Sequence, residues 1–191
     1  MRKMYLSAPL PFVGQKRMLA KEFMKVLEQY PDGTLFVDLF GGSGLLSHIT
    51  KSLKPHSTVI YNDFDNYRFR MKHIPQTNQL LADIREMVGN SVPRHKIIKG
   101  ELRERIFSRI EQEENTTGYV DFITLSSSIL FSMKYKLSVQ DMRKEALYNN
   151  IRKTGYPECT DYLEGLEIVS CDYKEVFNRY KDIPGVVFLV D

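Results

Sequence analysis

The stretch FVDLFGGSGLL sets Gly41, Gly42 and Gly44 between an apolar, β-branched run and a helical pattern. Glycines placed there let the backbone turn tightly and let a ligand lie against it without Cβ collisions. A carboxylate, Asp63, closes the next apolar run about 20 residues on, where an acid can accept hydrogen bonds from both ribose hydroxyls of an adenosine. Asp38 stands inside the first run, beside the turn. A carboxylate at that place opposes a pyrophosphate but suits a ligand bearing an ammonium group.

The third glycine of a G-x-G-x-x-G dinucleotide turn is replaced here by Ser47. S-Adenosylmethionine, which carries an ammonium, a sulfonium and no phosphate, therefore matches the residues better than NAD does. The plain alternative is a structural turn with a solvated acid; the strand and helix patterns on either side favour a nucleotide site.

These residues need a scaffold. Residues 16–30 place Met18, Leu19, Phe23, Val26, Leu27 and Tyr30 on one helical face, and Pro31-Asp32-Gly33 ends the pattern. TLFVDLF (34–40) predicts a buried strand, GLLSHITKSL a helix, STVIYNDF (57–64) a second strand, and residues 67 to about 88 further helix. Strand, glycine turn, helix, strand and acid form the opening half of a doubly wound parallel sheet. The expected fold class is α/β, Rossmann-like. From Pro93 to about Lys153 the patterns are mostly helical, as in KGELRERIFSRIEQEE and SVQDMRKEALYNNIRK, with an irregular Ser-rich apolar stretch between them. Strand character returns in LEIVSCD (166–172), followed by a short helix, YKEVFNRYKD, and by VVFLVD. The expected organisation is an α/β domain over 1–92, a helical insertion over 93–160 and the resumed α/β domain over 161–191.

Bulk properties narrow the class. A chain of 191 residues holds one substantial domain, or one with an insertion. The net charge of +3 permits a polyanionic partner without demanding one. Two cysteines, Cys159 and Cys171, argue against a disulfide framework and for a reducing cytoplasm. No apolar run approaches the ~20 residues that cross a bilayer, and the basic N-terminus has no apolar signal core behind it. The four histidines lack ligand spacing, so no metal is expected, and LSSSILFS lacks the nucleophile elbow of a hydrolase. Residues 93–153 carry 12 Lys/Arg against 8 Asp/Glu, a modest excess for phosphate contacts. Arg94, Lys96, Lys99, Lys134, Lys136, Arg143 and Lys144 are the candidates, against a plain reading as solvated helix faces.

Assembled in this order, the motifs resemble the Dam-type DNA adenine-N6 methyltransferases, almost end to end. PFVGQKRML (11–19) looks like the N-terminal motif whose Gly and Lys, here Gly14 and Lys16, help hold the methionine part of the cofactor, with Phe12 near the adenine. FVDLFGGSG looks like the cofactor turn, and YNDFD like the motif that binds the ribose. The 93–160 insertion sits where the family keeps its target-recognition region. LEIVSCDY is similar to the third strand, which implies Asp172 and Tyr173 beside the cofactor's adenine; an ordinary helix N-cap is the alternative role for Asp172.

VVFLVD is similar to the lead into the family's catalytic D-P-P-Y tetrapeptide, with Asp191 as its Asp. In such a site the Asp and a backbone carbonyl accept the hydrogens of the adenine amine, turning its delocalised lone pair toward the methyl donor. The target base must first leave the helix. The resemblance implies that the chain breaks off inside this motif. The later strands of the sheet would then lie outside it, the 191-residue chain would be catalytically incomplete, and its exposed last strand would self-associate. It further implies double-stranded DNA as partner and a bacterial or phage-type cytoplasmic setting at the nucleoid. An RNA acceptor, a non-catalytic DNA- or cofactor-binding remnant and a dinucleotide dehydrogenase stand as rivals.

Overall fold

A computed structural model describes residues 3–14, 16–132 and 134–190. Its elements in chain order begin with α1 (Ala20–Leu27), β1 (Phe36–Asp38), α2 (Leu45–Leu53), β2 (Val59–Asn62), α3 (Tyr67–Lys72) and α4 (Ile74–Val88). There follow β3 (Ile97–Ile98), α5 (Gly100–Thr117), α6 (Phe122–Ile129), α7 (Val139–Arg143), β4 (Leu147–Tyr148), β5 (Glu167–Val169), α8 (Tyr173–Tyr180) and β6 (Val187–Leu189). They group into two compact units. One holds the residues up to Met71 and those from Cys159 onward, the other Lys72–Glu158.

The first unit is built on a parallel sheet in the order β5-β2-β1-β6. Phe36, Val37 and Asp38 lie opposite Val59, Ile60 and Tyr61 on one side and Val187, Phe188 and Leu189 on the other. The strands read as unbroken apolar runs because both faces are covered. Successive side chains alternate between them. Phe36, Val59 and Leu189 pack with Ala20 and Leu27 of α1 and Leu45 and Ile49 of α2. Val37 and Ile60 pack with Val176 of α8 on the opposite face. Strand order reverses between β1 and β6, and open α/β sheets bind ligands beyond the carboxyl ends of their strands at such a point.

Several local expectations are corrected. The first helix starts at Ala20, not residue 16; Lys16 to Leu19 form turns, and the Lys16 ammonium bonds the Gly14 carbonyl at 2.9 Å. Met18 and Leu19 are exposed, and Leu19, Phe23, Val26 and Tyr30 line an apolar groove of about 370 Å³ with Val187–Val190. The last strand, expected to be exposed, does lie at an edge of the sheet among the described residues, with Val187 and Phe188 half-buried. The helical segment 67–88 breaks at His73, because Pro75 belongs in a first turn and starts a new helix there.

The second unit is mostly helical but contains an antiparallel ribbon the sequence did not suggest: Ile97 opposite Tyr148 and Ile98 opposite Leu147. The expected helix over SVQDMRKEALYNNIRK ends at Arg143. Ser138 caps α7 by accepting from the Asp141 N–H, and the chain then extends so that Leu147 buries against the ribbon's inner face with Ile98. Asn149 holds the extended course through its side-chain amide, which donates to Val92 O at 2.7 Å.

Candidate functional site

β1 ends at Asp38, and the chain turns through Leu39 to Gly44 into α2. Two things force glycine in that turn. A Cβ on Gly41 would run into the Tyr61 ring and the Asn62 carbonyl. Gly42 takes a left-handed φ of 51°, and its Cβ would stand 3.0 Å from the Phe12 ring. Gly44 closes the turn, donating from its N–H to Gly41 O at 2.7 Å, and precedes the first residue of α2. Tyr61, fully buried, lies beneath. Its hydroxyl stands 2.8 Å from Gly42 O and 3.0 Å from Asp63 Oδ1 and donates to one or the other. Burial, reinforced by the Asp63 carboxylate beside it, raises the Tyr61 hydroxyl far above the ordinary tyrosine range.

A strap at residues 5–14 crosses this end of the sheet. The Tyr5 N–H donates to His48 Nε2 at 2.9 Å, and His48 Nδ1 in turn donates to Tyr162 O at 2.7 Å, so the imidazole is neutral. The Tyr67 hydroxyl accepts from the Leu10 N–H at 2.9 Å, Arg70 Nη2 donates to Pro11 O at 2.8 Å, and Phe12 packs edge-on against Tyr67. These contacts bring Phe12, Val13, Gly14 and Lys16 to the glycine turn.

The result is a cavity of about 100 Å³ whose wall includes Phe12, Gly14, Lys16, Asp38, Gly41, Gly42 and Asp65. Six of the sequence candidates share it: Phe12, Gly14, Lys16, Asp38, Gly41 and Gly42. The buried Asp38 carboxylate accepts from Ser47 Oγ at 2.6 Å. Gly44, Asp63, Asp172 and Tyr173 are not among its lining residues. Asp63 is turned inward, accepting from Tyr67 N–H at 2.6 Å and Arg68 N–H at 3.0 Å; burial pushes its carboxyl above the usual range, against the pull of those hydrogen bonds. Asp172 caps α8 by accepting from the Lys174 N–H at 2.8 Å. Tyr173 lies 5.0 Å from the ring of Phe40, which does line the cavity. Asp191 lies outside the described residues.

Sequence reasoning passed over Phe40, Ser47 as a partner of Asp38, and Asp65. The signal for Asp65 was present, as the second acid of YNDFD, two residues after the first. The set suits S-adenosylmethionine at its amino-acid end: glycine backbone where a Cβ would collide, a buried carboxylate for an ammonium, and a rim ammonium for a carboxylate. Among the described residues no three His, Cys, Asp or Glu side chains converge to hold a metal, and no helix is long and apolar enough to cross a membrane.

In the second unit most candidate DNA contacts are engaged internally. Lys134 and Lys136 pair with Glu145 at 2.6 and 3.0 Å, Arg143 with Glu104 at 2.7 Å and Glu111 at 3.0 Å, and Lys144 with Asp141 at 2.7 Å. Arg94 donates to Ile151 O at 2.9 Å. Lys96 and Lys99 are exposed and have no ion-pair partner among the described residues.

A family model described as D12 class N6 adenine-specific DNA methyltransferase matches residues 12–189, from the strap to the last strand. A Haemophilus influenzae protein described as "Putative methyltransferase" is 39% identical over 194 residues, covering 100% of this chain and 64% of that relative. The chain thus spans about 64% of the length of the curated relative it matches. From the glycine turn to β6, the chain belongs to the D12 class N6 adenine-specific DNA methyltransferase family.

Proposed function

We propose that this chain binds S-adenosylmethionine over the glycine turn and is part of an enzyme that transfers the methyl group to N6 of adenine in double-stranded DNA, the 191 residues alone being catalytically incomplete. The observation that carries the reading is the meeting of Lys16, Asp38 and the 41–42 backbone in one cavity at the carboxyl end of β1, in a chain of this family. Bound there, the cofactor would supply an electrophilic methyl on its sulfonium. Asp38, oriented by Ser47, would take the ammonium, Lys16 the carboxylate, and Phe12 and Phe40 would flank the nucleoside. Asp191 is proposed to accept a hydrogen from the adenine amine. β6 supports this only in register: Leu189 pairs with Asp38, so the strand that leads to Asp191 runs beside the strand that ends on the cavity's carboxylate. The second unit is proposed to carry the DNA-facing surface, and self-association through the β6 edge is proposed from its half-buried Val187 and Phe188.

Isothermal titration tests the cofactor. S-Adenosylmethionine and S-adenosylhomocysteine are expected to bind and NAD is not; heat from NAD alone would sink the reading. Nucleic-acid acceptors separate by product analysis: N6-methyladenine in digests of duplex DNA supports the proposal, and label in structured RNA refutes the DNA acceptor.

A further inference from the structure

The strap approaches the cavity through alternating prolines, APLPF (8–12). Proline carries no N–H and fixes its own φ, so this stretch can enter neither a helix interior nor the middle of a sheet. Of residues 9–11 only Leu10 keeps a backbone donor. A segment of that kind is placed by the side chains that seize its backbone, and two residues of α3 do so.

The Tyr67 hydroxyl holds both backbone groups of Leu10, accepting from the N–H at 2.9 Å and donating to the carbonyl at 3.2 Å. Arg70, three residues on and on the same helical face, donates to Pro11 O at 2.8 Å, and its guanidinium lies 5.4 Å from the centre of the Tyr67 ring. That ring meets Phe12 edge-on, with centroids 5.7 Å apart. Tyr67 and Arg70 are buried, and neither is among the residues that line the cavity. The start of α3 is itself tied to the glycine turn. The Tyr67 N–H donates to Asp63 Oδ1 at 2.6 Å, and the Tyr61 hydroxyl beside that oxygen lies 2.8 Å from Gly42 O. The strap and the turn, which form the two sides of the cavity, therefore take their positions from one residue.

Resting on the cofactor reading above, we infer that Tyr67, assisted by Arg70, is a positioning residue for cofactor binding. It never touches the ligand. By clamping Leu10 and Pro11 it sets where Phe12 and Lys16 stand over the turn. The fit it maintains is close, since the Phe12 ring leaves only 3.0 Å to the place a Cβ on Gly42 would take. Lys16 is carried by the same strap, so its ammonium strengthens binding only while the clamp is closed.

The test is a double-mutant cycle on the 191-residue chain: wild type, Lys16→Ala, Tyr67→Phe and the double variant. Each is titrated with S-adenosylhomocysteine by calorimetry and unfolded in urea. Lys16→Ala is expected to weaken binding about tenfold, as loss of a hydrogen bond between charged groups does. Tyr67→Phe keeps the ring, loses the clamp and should weaken binding by a similar factor under conditions where it is fully folded. The double variant should bind within about twofold of Tyr67→Phe alone, while the losses in urea midpoint add. Affinity losses that multiply, or an unchanged affinity in Tyr67→Phe, would overturn the assignment, because a residue acting on stability alone leaves the contribution of Lys16 untouched. Arg70→Met, which releases Pro11 and keeps Tyr67, supplies a second cycle should Tyr67→Phe fail to fold; multiplying losses there overturn the assignment equally. A wild-type chain that binds no S-adenosylhomocysteine overturns the cofactor reading itself, and the role of the clamp with it.

Discussion

Ser47 Oγ donates to Asp38 Oδ2 across 2.6 Å, joining the third residue of α2 to the last residue of β1 where both side chains are buried. The bond fixes the plane of the one carboxylate at the cavity's floor. Ser47→Ala removes the donor and leaves a buried acceptor short, which costs about 1–3 kcal/mol. The expected outcome is a lower urea midpoint together with about tenfold weaker S-adenosylhomocysteine binding by titration calorimetry. Unchanged affinity would remove Asp38 from the ligand's partners.

Gly41 sits against an aromatic ring and a carbonyl, and the carbonyl belongs to β2 and cannot move aside. Gly41→Ala is therefore expected to destabilise the protein by roughly 1–3 kcal/mol through overpacking, and to abolish cofactor binding by displacing the turn. Gly33→Ala is the control. Nothing stands within 4 Å of its Cβ, but its φ of 98° is strained for alanine, so a stability loss with cofactor affinity intact is expected there.

Asp63 gives stability a pH dependence of unusual sign for an aspartate. Its folded-state value is raised by burial, so the native state binds the proton more readily than the unfolded chain does. Stability from this group is full below the unfolded value near 4 and falls as pH rises through the raised native one. Urea midpoints of wild type measured against Asp63→Asn across the acid range should show the wild type losing ground as pH increases. A difference that grows in the opposite direction would show that the backbone hydrogen bonds outweigh burial.

The ion pairs of the second unit divide its cations. If duplex DNA lies against this unit, Lys96→Ala and Lys99→Ala should each lower the slope of log affinity against log salt by about 0.9, one released counterion apiece. Lys134, Lys136, Arg143 and Lys144 already face carboxylates, and alanine at those positions should change the slope less. Filter binding over a salt series distinguishes the two groups. Equal slopes for all six variants would count against the division.

The sheet was readable from the chain because both of its faces are covered. FVD, VIY and VFL needed no partner to declare themselves as strands, and the glycines between β1 and α2 named the turn. The ribbon at Ile97–Ile98 and Leu147–Tyr148 was hidden because two residues make no period, and because the residues leading into Leu147 carry a helical pattern that long-range pairing overrides. Within the site, residue type was easier to infer than orientation. Asp63 and Asp65 are chemically alike and two positions apart. Only the turn between them, set by Asn66 and by the helix that begins at Tyr67, determines which one looks inward. The pairing of the second unit's cations was hidden for a related reason: a composition has no way to show that Glu145 holds two lysines and Arg143 two glutamates.

β1 and β2 each have a hydrogen-bonded strand on both sides, whereas β5 and β6 have one neighbour apiece among the described residues. In native-state hydrogen exchange, amides of the two inner strands should open only when the whole unit does, while those along the β6 edge fray far more readily. On that expectation the backbone that presents Asp38 and the glycines is rooted in the most protected strands of its unit, and the turn would be in place before any ligand arrives.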